Sequence, residues 1–260
     1  MFQRYVAIGD SFTEGVGDEH PDGTVGGWAD FTAAGLAAAA GSPIGYANLA
    51  VRGRKLRPLL DEQLETALGL GPDLLSLNGG GNDILRPSVS IDEVADALVA
   101  ASRAVVARDV HMLLISGADP TRHLPGGALV RRRGERLAEA VRARRPRDGV
   151  TFVDNWADAG LADGRYWSAD RMHMNVFGHL RVASNVLSAL GLPVPDGWAA
   201  VLEAAHGVQR HRTAGYYRHY VLPWIGRRLT GRSSGDGRSA KHPAFIPVGP
   251  DEAALGEAVR

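Results

Sequence analysis

The run Gln3-Arg4-Tyr5-Val6-Ala7-Ile8-Gly9-Asp10-Ser11-Phe12-Thr13-Glu14-Gly15 decides the reading of the chain. Its four residues 5–8 are apolar, too few for a helix, and stop at a glycine, which predicts a buried strand. Working outward, similar short runs recur at 45–49, 74–77, 111–115 and 151–153. Between them, 28–40, 56–68, 91–107 and 128–145 read as helices. Leu64 with Leu68, and Val94, Leu98 and Val105, place apolar side chains at helical spacing. A further helix, 177–190, is closed by Gly191 and Pro193. Alternation of this kind predicts a parallel sheet covered by helices on both faces.

The composition suits such a core. Of 260 residues, 45% are hydrophobic, enough for one sizeable α/β domain or a domain with an appendage. Lys plus Arg and Asp plus Glu are 29 each, so the molecule as a whole has no charge bias toward nucleic acid or membrane. There is no cysteine, which excludes a thiol nucleophile, thiolate metal sites and disulfides. The first residues run straight into the strand, without a basic stretch and a signal-length apolar run. No window approaches the roughly 20 apolar residues of a membrane span. The expected compartment is the cytoplasm.

Two stretches stand apart. Residues 15–27 carry five glycines and several acids and are expected to line whatever sits above the sheet. Residues 193–260 form a basic C-terminal extension outside a 1–192 domain. They begin with a helix near 198–207 and end in a partly disordered tail. From 209 to 241 the extension has seven Arg and one Lys against one Asp.

In an open parallel sheet, ligands bind beyond the carboxyl ends of the strands. Ser11, Asn48-Leu49-Ala50-Val51-Arg52-Gly53, Gly79-Gly80-Gly81-Asn82-Asp83 and Ser168-Ala169-Asp170-Arg171-Met172-His173 all fall on that rim. Acyl transfer needs a nucleophile, a base and donors for an oxyanion. Ser11 supplies the hydroxyl, His173 can take its proton, and Asp170, three residues earlier, can orient the imidazole. The backbone N–H groups of Ser11 and Gly53 and the Asn82 amide are the candidate oxyanion donors. Asp10, Trp28 and Trp167 flank these blocks as candidate substrate contacts, with ordinary aromatic packing the favoured reading for each tryptophan.

Gly9-Asp10-Ser11, Asn48 through Gly53, Gly80-Gly81-Asn82-Asp83 and Asp170-Arg171-Met172-His173 resemble, in order, the four blocks of the SGNH hydrolases, the GDSL esterase/lipase superfamily. The resemblance covers about 4–191. It implies a three-layer α/β/α sandwich with a parallel, about five-stranded flavodoxin-like sheet. It also implies Ser11 as nucleophile, His173 as base, Asp170 as orienting acid, and Ser11, Gly53 and Asn82 as the oxyanion hole. The Gly-x-Ser-x-Gly elbow of α/β-hydrolases is absent around Ser11. Phe12 stands where the family usually has an aliphatic residue, and the extension lies outside the family core.

The expected function is therefore hydrolysis of a small-molecule carboxylic ester through an acyl-enzyme, with no cofactor and no metal. An acyltransferase or thioesterase on the same residues is an alternative, as is a non-catalytic binding module using the basic tail. His179 and Asp154 are rivals to His173 and Asp170. Asp119 reads as a turn residue, and His20 with Asp18, Glu19 and Asp22 reads as a solvated loop rather than a metal site. No Gly-x-x-x-x-Gly-Lys or Gly-x-Gly-x-x-Gly loop points to a nucleotide. In the tail, Arg210, Arg212, Arg218, Arg227, Arg228 and Arg232 alternate with Tyr216, Tyr217 and Tyr220. Nucleic-acid contact there is disfavoured against a segment wrapped on the enzyme body through Tyr216, Tyr217, Val221, Leu222, Trp224 and Ile225.

Overall fold

Six strands make one sheet in the order β5-β4-β3-β1-β2-β6 in a computed structural model that describes residues 1–121, 127–205, 218 and 233–254. The strands are β1 Arg4–Ile8, β2 Ile44–Asn48, β3 Leu74–Leu77, β4 His111–Ile115, β5 Val150–Val153 and β6 His242–Val248. The first five are parallel, each within a residue or two of its expected place. β1 lies in the middle, with Tyr5 paired to Tyr46 on one side and to Leu74 on the other. A strand hydrogen-bonded along both edges and covered on both faces has no exposed position, which is why 5–8 reads as an unbroken apolar run.

Alternate residues of the strands face opposite helix layers. Tyr5, Ala7, Tyr46, Leu113 and Val153 pack toward α2 (Trp28–Ala40) and α7 (Val176–Ala189). Val6, Ile8, Ala47, Met112 and Leu114 pack toward α3 (Leu56–Gly69), α5 (Ile91–Val106) and α6 (Gly127–Arg144). This is the expected three-layer sandwich. Chain order changes direction between β1 and β3, and such a switch point opens a crevice at the carboxyl ends of both strands. Two four-residue helices fill it: α1 (Ser11–Glu14) after β1 and α4 (Gly81–Ile84) after β3.

The extension departs from expectation. Its helix α8 (Trp198–Ala204) is present, with Trp198 fully buried and its indole N–H donating to Ala253 O at 2.9 Å. Residues 242–248, expected in a loose tail, instead form β6, antiparallel to β2 along the sheet edge. Pro243 and Pro247 lack a ladder donor, which only an edge strand tolerates. Two prolines in seven residues hide the strand from a pattern search. Apart from Arg218, the arginines and aromatics of 206–232 lie outside the described residues. No helix among the described residues is long and apolar enough to cross a membrane.

Candidate active site

The nucleophile candidate is set by its own turn. Asp10 Oδ1 accepts the Phe12 N–H at 3.2 Å and caps α1, making Ser11 the first residue of that helix. Gly9 is pinned beneath it by the buried Gln63 amide, which accepts from Gly9 N–H at 2.8 Å and donates to Gly9 O at 3.0 Å. Ser11 thus sits at the carboxyl end of the central strand with its hydroxyl on the rim.

Asp170 and His173 come from a tight loop after β5. An isolated bridge pairs Trp167 with Met174, and Ser168 N–H donates to His173 O at 2.9 Å. Arg171 takes φ 59°, a left-handed conformation that turns the loop back on itself. Asp170 Oδ1 accepts from the Ser168 hydroxyl at 2.7 Å and from the Met172 and His173 N–H groups at 2.9 Å each. Its other oxygen, Oδ2, lies 2.6 Å from His173 Nδ1. A carboxylate so placed keeps the imidazole proton on Nδ1 and leaves Nε2 an acceptor. Nε2 is 3.1 Å from Ser11 Oγ. A continuous chain therefore runs from carboxylate to imidazole to hydroxyl.

The charges are tuned accordingly. Burial would raise the Asp170 carboxyl, but the His173 hydrogen bond and charge, with two backbone N–H groups, hold it well below the usual carboxylate range. Burial likewise pulls His173 down. Asp170 more than offsets this, so the ring's pKa lies above its ordinary value. Asp10 is pushed up to about 6 by burial, against the pull of Phe12 N–H, His173 and Asn82.

The 15–27 loop supports His173 rather than lining a pocket. Gly17, at φ 104°, lies so close under the loop that a Cβ would collide with Met174 O and press on His173 Cβ. None of residues 15–27 lines the cavity beside Ser11.

The second and third blocks meet across the crevice. Glu14 accepts Arg52 N–H at 2.6 Å and Arg52 Nε–H at 2.8 Å, holding the start of the 52–56 loop. Asp83 Oδ2 accepts Leu56 N–H at 2.9 Å and holds its end. Between them Gly53 adopts φ 76°, and its N–H has no acceptor among the described residues. The Asn82 amide reaches the same place, donating to Asp10 Oδ2 at 3.0 Å and to Arg54 O at 2.9 Å. Both its hydrogens are engaged, so donation to an oxyanion requires releasing one of them. Glu14 was not singled out by sequence. Its signal is an acid and a base, Glu14 and Arg52, each shortly after one of two adjacent parallel strands.

The other candidates separate cleanly. Trp167 and Asp10 line the cavity beside Ser11. Trp28 does not: it is fully buried and packs against the Phe12 ring at 5.9 Å, which corrects its reading as a substrate contact. Phe12 itself lines the cavity. His179 accepts the Trp28 N–H on Nδ1 at 3.2 Å, and burial pushes its pKa down to about 3, so it is a neutral packing residue. Asp154 pairs with Arg142 and accepts from Ser116 at 3.2 Å, away from His173. Asp119 accepts the Thr121 N–H at 2.8 Å, as a turn residue does. His20 Nδ1 contacts Thr24 Oγ1 at 3.1 Å inside its own loop. Among the described residues no group of three or more His, Asp or Glu is placed to hold a metal ion.

Solved structures share this architecture. An acetylxylan esterase from Geobacillus stearothermophilus is 20% identical with TM-score 0.56, over 74% of this chain and 95% of that one. The protein TesA is 21% identical with TM-score 0.58, over 72% and 98%. A lipase from a goat rumen metagenome is 17% identical with TM-score 0.54, over 72% and 97%. No curated protein sequence matches. The model of the GDSL-like lipase/acylhydrolase family matches residues 7–181, a span that holds Ser11, Gly53, Asn82, Asp170 and His173 together. The chain belongs to the GDSL-like lipase/acylhydrolase family.

Proposed function

We propose that the protein hydrolyses carboxylic esters through a covalent acyl-enzyme on Ser11. The observation that carries this reading is the unbroken chain from Asp170 Oδ2 through His173 to Ser11 Oγ, with steps of 2.6 and 3.1 Å. Family membership supports ester cleavage in general.

In the first half-reaction Ser11 Oγ attacks the ester carbonyl carbon while its proton passes to His173 Nε2. The imidazolium that forms is stabilised by the Asp170 carboxylate. Negative charge collects on the former carbonyl oxygen, toward which the Ser11 and Gly53 N–H groups and one Asn82 amide hydrogen donate. The tetrahedral adduct collapses, the carbon–oxygen bond to the alcohol breaks, and Nε2–H protonates the departing alkoxide. Water then attacks the acyl-enzyme with His173 again as base, releasing the acid and restoring Ser11. Asp10 acts one step removed, as a positioning residue that aligns Asn82 and caps α1. The substrate is a small-molecule ester and the compartment the cytoplasm.

Hydrolysis of p-nitrophenyl esters by the full chain and by Ser11→Ala tests the reading. Ser11→Ala should fold normally and lose activity by at least about 10⁴-fold. A folded Ser11→Ala protein with near-normal turnover would remove Ser11 from the mechanism.

A further inference from the structure

The cavity beside Ser11 does not end at the rim. It has a volume of about 160 Å³ and continues from Ser11 and His173 into the layer between the sheet and helices α5 and α6. Leu98 of α5, Leu137 and Val141 of α6, and Leu114 and Phe152 of the neighbouring strands β4 and β5 line its inner part. Leu98 and Val141 are buried core positions of their helices, so the space lies within the hydrophobic core and not on the surface. Among the described residues that line it, Asp10 and His173 are the only ionisable ones, and both lie at the Ser11 end.

Native interiors are close-packed, with few voids larger than a water molecule. An apolar cavity of about 150 Å³ stays dry and takes up small hydrocarbons. A space of this size, walled by Leu, Val and Phe and continuous with an activated hydroxyl, therefore suits an apolar occupant attached to the reacting carbon or oxygen.

One side chain bounds it. The Trp156 indole lies against Gly134 in the position a Cβ would take, so α6 can approach the ring only because residue 134 is glycine. The Trp156 indole N–H is buried with no partner among the described residues. On the far side of Trp156 and Ala138 is a second, polar cleft lined by Asp119, Arg131, Glu135, Arg142, Asp154 and Asp158. Trp156 is thus a partition between an apolar chamber that opens on Ser11 and a charged one that does not.

We propose that this interior chamber receives an unbranched aliphatic arm of the ester, and that Trp156 sets the arm's greatest length. The inference rests on the ester-hydrolase reading of Ser11 and names the substrate class for it. Either side of the ester could carry the arm, as a fatty acyl group or as an alkyl alcohol. The chemistry the chamber recognises is the same.

The test uses the full chain and two ester series: p-nitrophenyl acylates from acetate to dodecanoate, and n-alkyl acetates from ethyl to dodecyl. Rates are referred to the Ser11 concentration titrated with a fluorophosphonate. For one series kcat/KM should rise by about fourfold per added methylene until the chain meets Trp156, then fall. Val141→Phe fills the inner end and should move the optimum to shorter chains, lowering the long-to-short ratio at least tenfold. Trp156→Ala joins the two clefts and should move it to longer chains. It is also the second variant should Val141→Phe fail to fold. Arm dependence in the acylate series places the chain on the acid, and dependence in the alkyl series places it on the alcohol. Acetate and ethyl as the best substrates, with optima unmoved in both variants, would overturn the inference. Failure of the wild-type protein to cleave or be titrated at all would overturn the ester reading beneath it.

Discussion

At the scale of single residues, the proposed mechanism depends on His173 being held neutral and correctly protonated beside Ser11. Its pKa lies above the ordinary imidazole value because Asp170's hydrogen bond and charge outweigh burial. A general base must be unprotonated, so kcat/KM should rise with pH through an apparent pKa above 6.5. Asp170→Asn removes the larger stabilising charge and leaves burial opposed only by the weaker pull of Asp10, so the limb should move to lower pH. The rate on the plateau should fall by about 10⁴-fold, since an amide at Oδ2 also favours the wrong imidazole tautomer. A pH–rate profile of both proteins checks this. A limb that stayed in place in Asp170→Asn would show that the carboxylate does not set the His173 pKa. That Ser11, Asp170 and His173 meet on one rim was readable beforehand, because each lies in a short block just past a predicted strand or before the last helix. For Trp28 the packing reading holds over the substrate contact, and sequence could not decide between them, because nearness to Ser11's block says nothing of which way α2 turns the ring.

At the scale of elements, the five parallel strands were legible because each is an unbroken apolar run, and the long helices because one face is apolar. β6 was not. Its burial pattern exposes four of its seven residues, and two prolines interrupt it, so its strand character comes from the β2 edge it pairs with. α1 and α4, four residues each, are likewise products of their caps and neighbours. The contact that ties β6 to the site is Lys241, just before the strand. Its ammonium donates to Glu14 O at 3.2 Å, Gly26 O at 2.8 Å and Asp30 Oδ2 at 2.8 Å. It joins the end of α1, the 15–27 loop and α2 through one partly buried group. Lys241→Ala should lower stability by about 2 kcal/mol, the scale of charged hydrogen bonds lost where their acceptors stay partly buried. Denaturant unfolding measures it. A loss of only a few tenths of a kcal/mol would show that the extension is laid on the fold without bracing it.

At the scale of the whole molecule, the extension and the family core make one sheet, and the crevice between β1 and β3 collects residues from every part of the chain. Ser11 follows β1, Gly53 follows β2, Asn82 follows β3 and His173 follows β5. That convergence could be anticipated from strand order, since parallel strands share a carboxyl end. The interior chamber could not. Leu98, Val141 and Phe152 read as ordinary core residues, and the room between them shows only once α5 and α6 are laid on the sheet. The central claim concerns Ser11 itself. Treatment of the full chain with a fluorophosphonate, followed by mass spectrometry of its peptides, asks directly whether that hydroxyl is activated. The account predicts one adduct per chain, on Ser11, abolished in a folded His173→Ala protein. A folded wild-type protein that takes up no label, or carries it on another residue, would contradict it.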